Sequence, residues 1–115
     1  MTISEIPAAS VMAWLLALAF AGAGLANAAG GASLRAQFRR WGYPAWWNLV
    51  TAALELLGAG LILPPQTRFW GLVLLAVVMI AAVATLVRRR DYAHLAPGLA
   101  LVALIGVELA LVVAP

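Results

Sequence analysis

The chain contains no cysteine and no lysine, a single histidine and four acidic residues, and only 10% of its residues are charged. Without cysteine it can build neither a disulfide framework nor a thiolate metal site. Charge this sparse excludes a disordered, solvated tail. It also excludes an ordinary soluble enzyme, because soluble proteins carry about 25% charged residues. What fills the sequence is hydrocarbon: 66% of residues are hydrophobic and the mean hydropathy is +1.05. A chain of 115 residues has too much surface for its volume to hide that much apolar material from water. The composition is that of an integral membrane protein.

The net charge is +3, and all seven basic residues are arginines. Six of them fall into two clusters, Arg35/Arg39/Arg40 and Arg88/Arg89/Arg90, each beside an apolar run. That placement belongs to residues that orient a membrane protein, not to a nucleic-acid surface. A spanning helix needs about 20 apolar residues. Four such runs are present, over about residues 7–29, 44–63, 69–87 and 97–113. Short connections make neighbours antiparallel, and no period-two alternation supports a β-barrel. The expected fold is all-α: one transmembrane domain over residues 1–115, an antiparallel up-down four-helix bundle. The first run lacks a basic leader and carries Glu5, so it reads as a retained helix and not as a signal peptide. Arginine-rich loops stay in the cytoplasm, which sends both termini outside. Trp41, Trp46 and Trp47 then form an inner aromatic belt, with Trp70 on the outer side.

Between the first two runs, residues 33–41 suit a short amphipathic helix in the headgroup layer, with Leu34, Phe38 and Trp41 on one side and arginines beside them. In the first run Ala13, Ala17 and Ala21 recur every fourth residue, as do Gly22 and Ala26. Such spacing serves close packing within one bundle or the face of a homodimer. The second half also echoes the first. Arg39-Arg40, Tyr43, Pro44 and, eleven residues later, Glu55-Leu56 are followed by Arg89-Arg90, Tyr92, Pro97 and, eleven residues later, Glu108-Leu109. This is either a parallel repeat of two helical hairpins or a coincidence.

That spacing places Glu55 and Glu108 near the bilayer midplane at similar depth, about 16 Å in from the cytoplasm. Acidic residues there face the interior of a bundle or a cavity. Neither a lysine nor an arginine within a span is available to pair them. Asn48, Thr51 and Glu55 form one stripe, and Asn27, Thr85 and His94 lie near the cytoplasmic ends of the other helices. The expectation is a polar-lined pocket open to the cytoplasm, with Asn27, Asn48, Thr51, Glu55, His94 and Glu108 as ligand-binding residues. Two glutamates and a distant histidine without a Glu-x-x-His motif do not make a di-iron site, so no metal is expected. His94 is badly placed for haem, Met12 and Met79 read as core filler, and no cofactor is expected.

Phe38-x-x-Trp41-Gly42-Tyr43-Pro44, followed by Glu55-Leu56-Leu57-Gly58-Ala59, resembles the DoxX and DoxX-like family of small bacterial and archaeal membrane proteins. The resemblance implies four spans and a bacterial cytoplasmic (inner) membrane. The family takes its name from a subunit of a thiosulfate:quinone oxidoreductase; other relatives accompany redox enzymes or act as membrane chaperones. Three functions follow as expectations. The first is an accessory subunit of a membrane oxidoreductase system that holds an apolar small molecule of quinone or isoprenoid type and docks to a membrane or redox partner protein. The second is a small enzyme in which Glu55 and Glu108 perform catalytic acid–base chemistry, an isomerisation or epoxide opening, on a lipophilic substrate. The third is a structural assembly factor.

Overall fold

The computed structural model describes residues 7–114. Among them are five α-helices and no strand: α1 (Ala8–Ala29), α2 (Ala32–Arg40), α3 (Trp47–Ile62), α4 (Arg68–Arg88) and α5 (Leu95–Val113), with a 3-10 turn at Tyr92–His94 ahead of α5. Glu5 lies outside the described residues. Three helical segments, Ala8–Ala29, Arg68–Arg88 and Tyr92–Val113, are long and apolar enough to cross a membrane, while α3 has only 16 residues. The protein is elongated, 48 × 25 × 20 Å. α1 packs on α3, α3 on α4 and α4 on α5, which also touches α1; α2 leans on α3.

Apart from the amphipathic α2, the helices are nearly uniform in apolarity, so their inner faces are set by residue size. Ala13, Leu16, Ala17 and Phe20 from α1, Ala59 and Ile62 from α3, Leu72 and Leu75 from α4 and Ile105 from α5 make the buried core. Met12 and Met79 pack against it. The small residues of α1 divide. Ala13 and Ala17 are buried in this core, whereas Gly22 has open space where a side chain would be. Between α3 and α4 the backbones themselves meet. A Cβ on Gly71 would lie 2.8 Å from both the Gly58 carbonyl oxygen and the Ile62 nitrogen, a position that only glycine fits.

Helix ends follow the local chemistry. Pro44 does not open α3 but precedes it by three residues; its carbonyl accepts the Trp47 N–H in a tight turn (3.0 Å). α3 stops before Pro64-Pro65, where a helix cannot continue. Its exposed last carbonyls are taken up from the next helix: Thr67 Oγ1 donates to Leu61 (2.7 Å), and Arg68 donates through Nε to Ile62 (2.8 Å) and through Nη2 to Leu63 (2.9 Å). Arg68 is therefore no loop residue. It is the first residue of α4 and only 6% exposed.

The two arginine-rich connections close in the same way. At the end of α2 the Tyr43 N–H reaches back to the Phe38 carbonyl and the Gly42 N–H to that of Arg39. At the end of α4 the Asp91 N–H reaches Leu86 and the Arg90 N–H reaches Val87. Both are Schellman caps, which need a left-handed residue just past the helix. In the first it is Gly42 (φ +94) and in the second Arg90 (φ +57). The caps align Gly42 with Arg90, so the arginine pairs of the sequence echo do not fall in the same register.

Two outcomes test these packing statements. Gly71→Ala should lower stability by about 1–3 kcal/mol, because backbone and not a flexible side chain must yield. Arg90→Gly should raise it by about 1 kcal/mol by removing left-handed strain. Thermal unfolding in detergent measures both.

Candidate functional site

Trp41-Gly42-Tyr43, between α2 and α3, reaches across to the end of α4 and the turn after it. The Trp41 carbonyl accepts a hydrogen bond from Arg89 Nε (3.1 Å), and the Arg89 guanidinium lies against Gly42 in the space a Cβ would fill. Trp41 Nε1 donates to Asp91 Oδ2 (3.1 Å). Tyr43 meets Thr85 of α4 hydroxyl to hydroxyl at 2.6 Å, and Thr85 Oγ1 donates to the Ala81 carbonyl at 2.9 Å. Each hydroxyl has one proton. Both contacts are satisfied together only when Tyr43 donates to Thr85 and Thr85 to Ala81. The Tyr43 ring is held on both sides, stacked on Trp47 (5.2 Å, 9° between planes) and edge-on to Phe38 (6.3 Å).

Beneath this clamp lies a cavity of about 270 Å³ between α2, α3 and α4. Aromatic rings of Phe38, Trp41, Tyr43 and Trp47 form its head, and Leu54, Val77 and Val78 form its body. Room exists because the α4 wall carries Ala81 and Ala82, one turn before Thr85, instead of larger side chains. The lining residues whose side chains carry polar atoms are Trp41, Tyr43, Trp47, Thr51 and Thr85. On the outer side of the clamp, Arg40, Arg89 and Arg90 border an open hollow with Trp41 and Asp91.

The six residues expected to form one polar pocket occupy separate places. Asn27, Asn48 and Glu55 do meet: Asn27 Nδ2 donates to Glu55 Oε1, and Asn48 Nδ2 donates to the Asn27 carbonyl (2.8 Å). Asn48 and Glu55 are buried, and this knot ties α1 to α3. Thr51 donates to the Trp47 carbonyl one turn back (3.1 Å) and lines the cavity instead. His94 is exposed; its Nδ1 pairs with Asp91 Oδ1 at 2.7 Å, and Gln37 Nε2 donates to its Nε2 at 3.4 Å. Glu108 is fully buried, and neither carboxyl oxygen has a hydrogen-bond partner among the described residues.

The glutamates do not share surroundings. Glu55 is the ninth of 16 residues in α3, and its partner is Asn27. Glu108 is the fourteenth of 19 in α5, toward the end opposite the arginine clusters, and the charge that reaches it is that of Arg68. Arg68 is a buried arginine at the start of α4, but among the described residues it donates to the Ile62 and Leu63 carbonyls and forms no ion pair with either glutamate. In the sequence Arg68 falls just before the apolar run over about residues 69–87. By donating to the carbonyls that end α3, it is buried within the helical body.

A family model now places this arrangement: the DoxX-like family matches residues 11–107. The chain belongs to the DoxX-like family. The resemblance carried by the Trp-Gly-Tyr-Pro and Glu-Leu-Leu-Gly-Ala segments is borne out. No curated protein and no solved structure matches the chain. Membership, with three long apolar helices, points to a multi-pass membrane protein. The structure also gives the two DoxX-like segments physical roles. Trp41-Gly42-Tyr43 is the clamp. In the second segment Glu55 takes Asn27, the Gly58 carbonyl meets Gly71, and Ala59 is in the core. Composition alone could not reveal that Trp41 pairs with Asp91, or that Tyr43 pairs with Thr85 of α4. The available signal was three hydrogen-bonding side chains, Trp41, Tyr43 and Asp91, placed beside helix ends rather than within spans.

Asp91 lies outside the spanning segments. Its carboxyl is held below the ordinary carboxylate range, chiefly by the His94 hydrogen bond, with the Trp41 indole and the charges of His94 and Arg40 adding and partial desolvation opposing. A depressed folded-state pKa adds stability above the unfolded value near 3.9 and loses it as pH falls through the folded value. The stability gap between wild type and Asp91→Asn should therefore persist down to about pH 5 and close below about pH 4. Thermal unfolding across that range checks it.

Proposed function

We propose that this DoxX-like protein is a non-catalytic membrane subunit that holds one apolar small molecule, of quinone or isoprenoid type, in the cavity beneath the Trp41–Tyr43 clamp. The cavity itself carries the reading: about 270 Å³, walled by aromatic and aliphatic side chains, with Tyr43, Thr51 and Thr85 as its hydroxyl-bearing residues. That is the chemistry of a small lipophilic ligand with one polar group, and the volume is near the lower end of ligand pockets, about 300 Å³. The site so proposed uses Tyr43, Thr51 and Thr85. Asn27, Asn48 and Glu55 support it by fixing α1 on α3, whose other side forms one wall.

α1, α3, α4 and α5 are proposed as a four-helix transmembrane bundle. The two arginine clusters would lie at the cytoplasmic face of a bacterial inner membrane, with the termini outside. Arg40, Arg89 and Arg90 then face the headgroups, and the exposed clamp offers a surface to a partner subunit. Acid–base catalysis by Glu55 and Glu108 has no such support, because Glu55 is engaged by Asn27 while Glu108 is buried with no hydrogen-bond partner among the described residues.

The test is to fill the cavity. Ala81→Phe places a ring in it while leaving the clamp intact. Protein extracted in mild detergent and examined by native mass spectrometry should carry an apolar adduct in the wild type and lose at least nine-tenths of it in Ala81→Phe. Equal retention by both, or no adduct on the wild type after incubation with isoprenoid and quinone probes, overturns the proposal.

A further inference from the structure

The cavity has a hydrogen-bonding polarity. Among its side chains, five carry a polar hydrogen: Trp41, Tyr43, Trp47, Thr51 and Thr85. Four of the five are already committed. Trp41 donates to Asp91, Tyr43 to Thr85, Thr85 to the Ala81 carbonyl and Thr51 to the Trp47 carbonyl. A hydroxyl that has given its proton still has lone pairs to offer. The hydroxyl groups of the cavity therefore accept hydrogen bonds and have none to give.

From this we infer that the cavity selects a ligand ending in a hydroxyl, such as an isoprenoid alcohol, over the same skeleton ending in a carbonyl. The inference rests on the reading of the cavity as a ligand site and narrows it. A hydroxyl group reaching Tyr43 Oη or Thr51 Oγ1 donates its proton and is satisfied. A carbonyl oxygen in the same place meets only other acceptors and loses its hydration without replacement. A quinone head group, which has no proton to donate, falls on the disfavoured side. The selectivity resides in the direction of one proton chain, Tyr43 to Thr85 to Ala81. The stacking of Tyr43 on Trp47 keeps the phenol at the 2.6 Å distance that the chain requires.

A chain with a direction can be reversed by substitution. In Thr85→Val the methyl group replaces the acceptor, and the Tyr43 proton is set free toward the cavity. In Tyr43→Phe the phenol is lost, but Thr85 still donates to Ala81 and still presents its lone pairs. The two variants delete opposite ends of the same hydrogen bond and have opposite consequences. The indole N–H of Trp47 is the one side-chain donor on the wall that no internal acceptor holds, and Trp47→Phe removes it.

The probes are citronellol and citronellal, which differ only in hydroxyl against aldehyde, and the readout is their affinity for the intact protein in nanodiscs. Wild type should bind citronellol about tenfold more tightly than citronellal, the equivalent of one hydrogen bond. Tyr43→Phe should keep that preference. Thr85→Val should abolish or invert it through tighter binding of the aldehyde, with an unchanged helical circular dichroism spectrum showing that the fold persists. Equal affinities in the wild type, an unaltered preference in Thr85→Val, or an aldehyde preference that Trp47→Phe removes would each overturn the inference while leaving the cavity a ligand site. Binding of neither probe, alongside Ala81→Phe behaving as wild type, would overturn the cavity reading itself.

Discussion

The hydrogen bond between Tyr43 and Thr85 holds together two parts of the chain 42 residues apart. Tyr43 belongs to the turn that follows an amphipathic surface helix, and Thr85 to the last turn of a long apolar helix. Away from bulk water, a hydroxyl without a partner is costly, so each of these two groups fixes the other. Once Tyr43 is fixed, Trp47 stacks on it, Phe38 closes on its edge, and the aromatic head of the cavity is in place. Trp41, Arg89 and Asp91 then brace the same turn from outside.

The apolar body obeys a different constraint. Its helices cannot be sorted by hydrophobicity, since nearly every face is greasy, and lipid tails provide no hydrophobic drive for helices to associate. Shape does the sorting. Gly71 lets the backbones of α3 and α4 touch, Ala13 and Ala17 sit in the core, and Phe20 and Ile105 fill the wider spaces. The buried polar groups act as a second locating device. Asn27, Asn48 and Glu55 fix α1 against α3, and Arg68 fixes the start of α4 against the end of α3. Glu108, deep in α5, stands apart from these contacts, fully buried with no hydrogen-bond partner among the described residues.

Helix existence and type were legible in the sequence because apolar length and proline punctuation are local signals. The family was legible for a related reason: Trp41-Gly42-Tyr43 and Glu55 to Ala59 are contiguous segments, readable without knowing the distant residues they contact. The site was less legible. Counting residues from a proline gave the glutamates a common depth but not common neighbours, since facing is decided by helix rotation and by which helices adjoin. Arg68 was misplaced because a hydropathy window treats a charge as the end of a span, whereas the free carbonyls ending α3 make that position hospitable to a guanidinium. The cavity left almost no trace, for it consists of what Ala81 and Ala82 do not fill.

The shortness of α3 reaches beyond the molecule. Sixteen residues of helix measure about 24 Å, while a bilayer's hydrocarbon layer is about 30 Å and the longer α1 and α4 can match it. If α3 spans as proposed, lipid beside it must compress, or Trp46 and Leu63 at its two ends must dip below the headgroups. Either response costs a fraction of a kcal/mol for each ångström of mismatch. In the proposed four-span arrangement one flank of the protein would fit a thinner membrane than the other, which would favour its partition into thin patches.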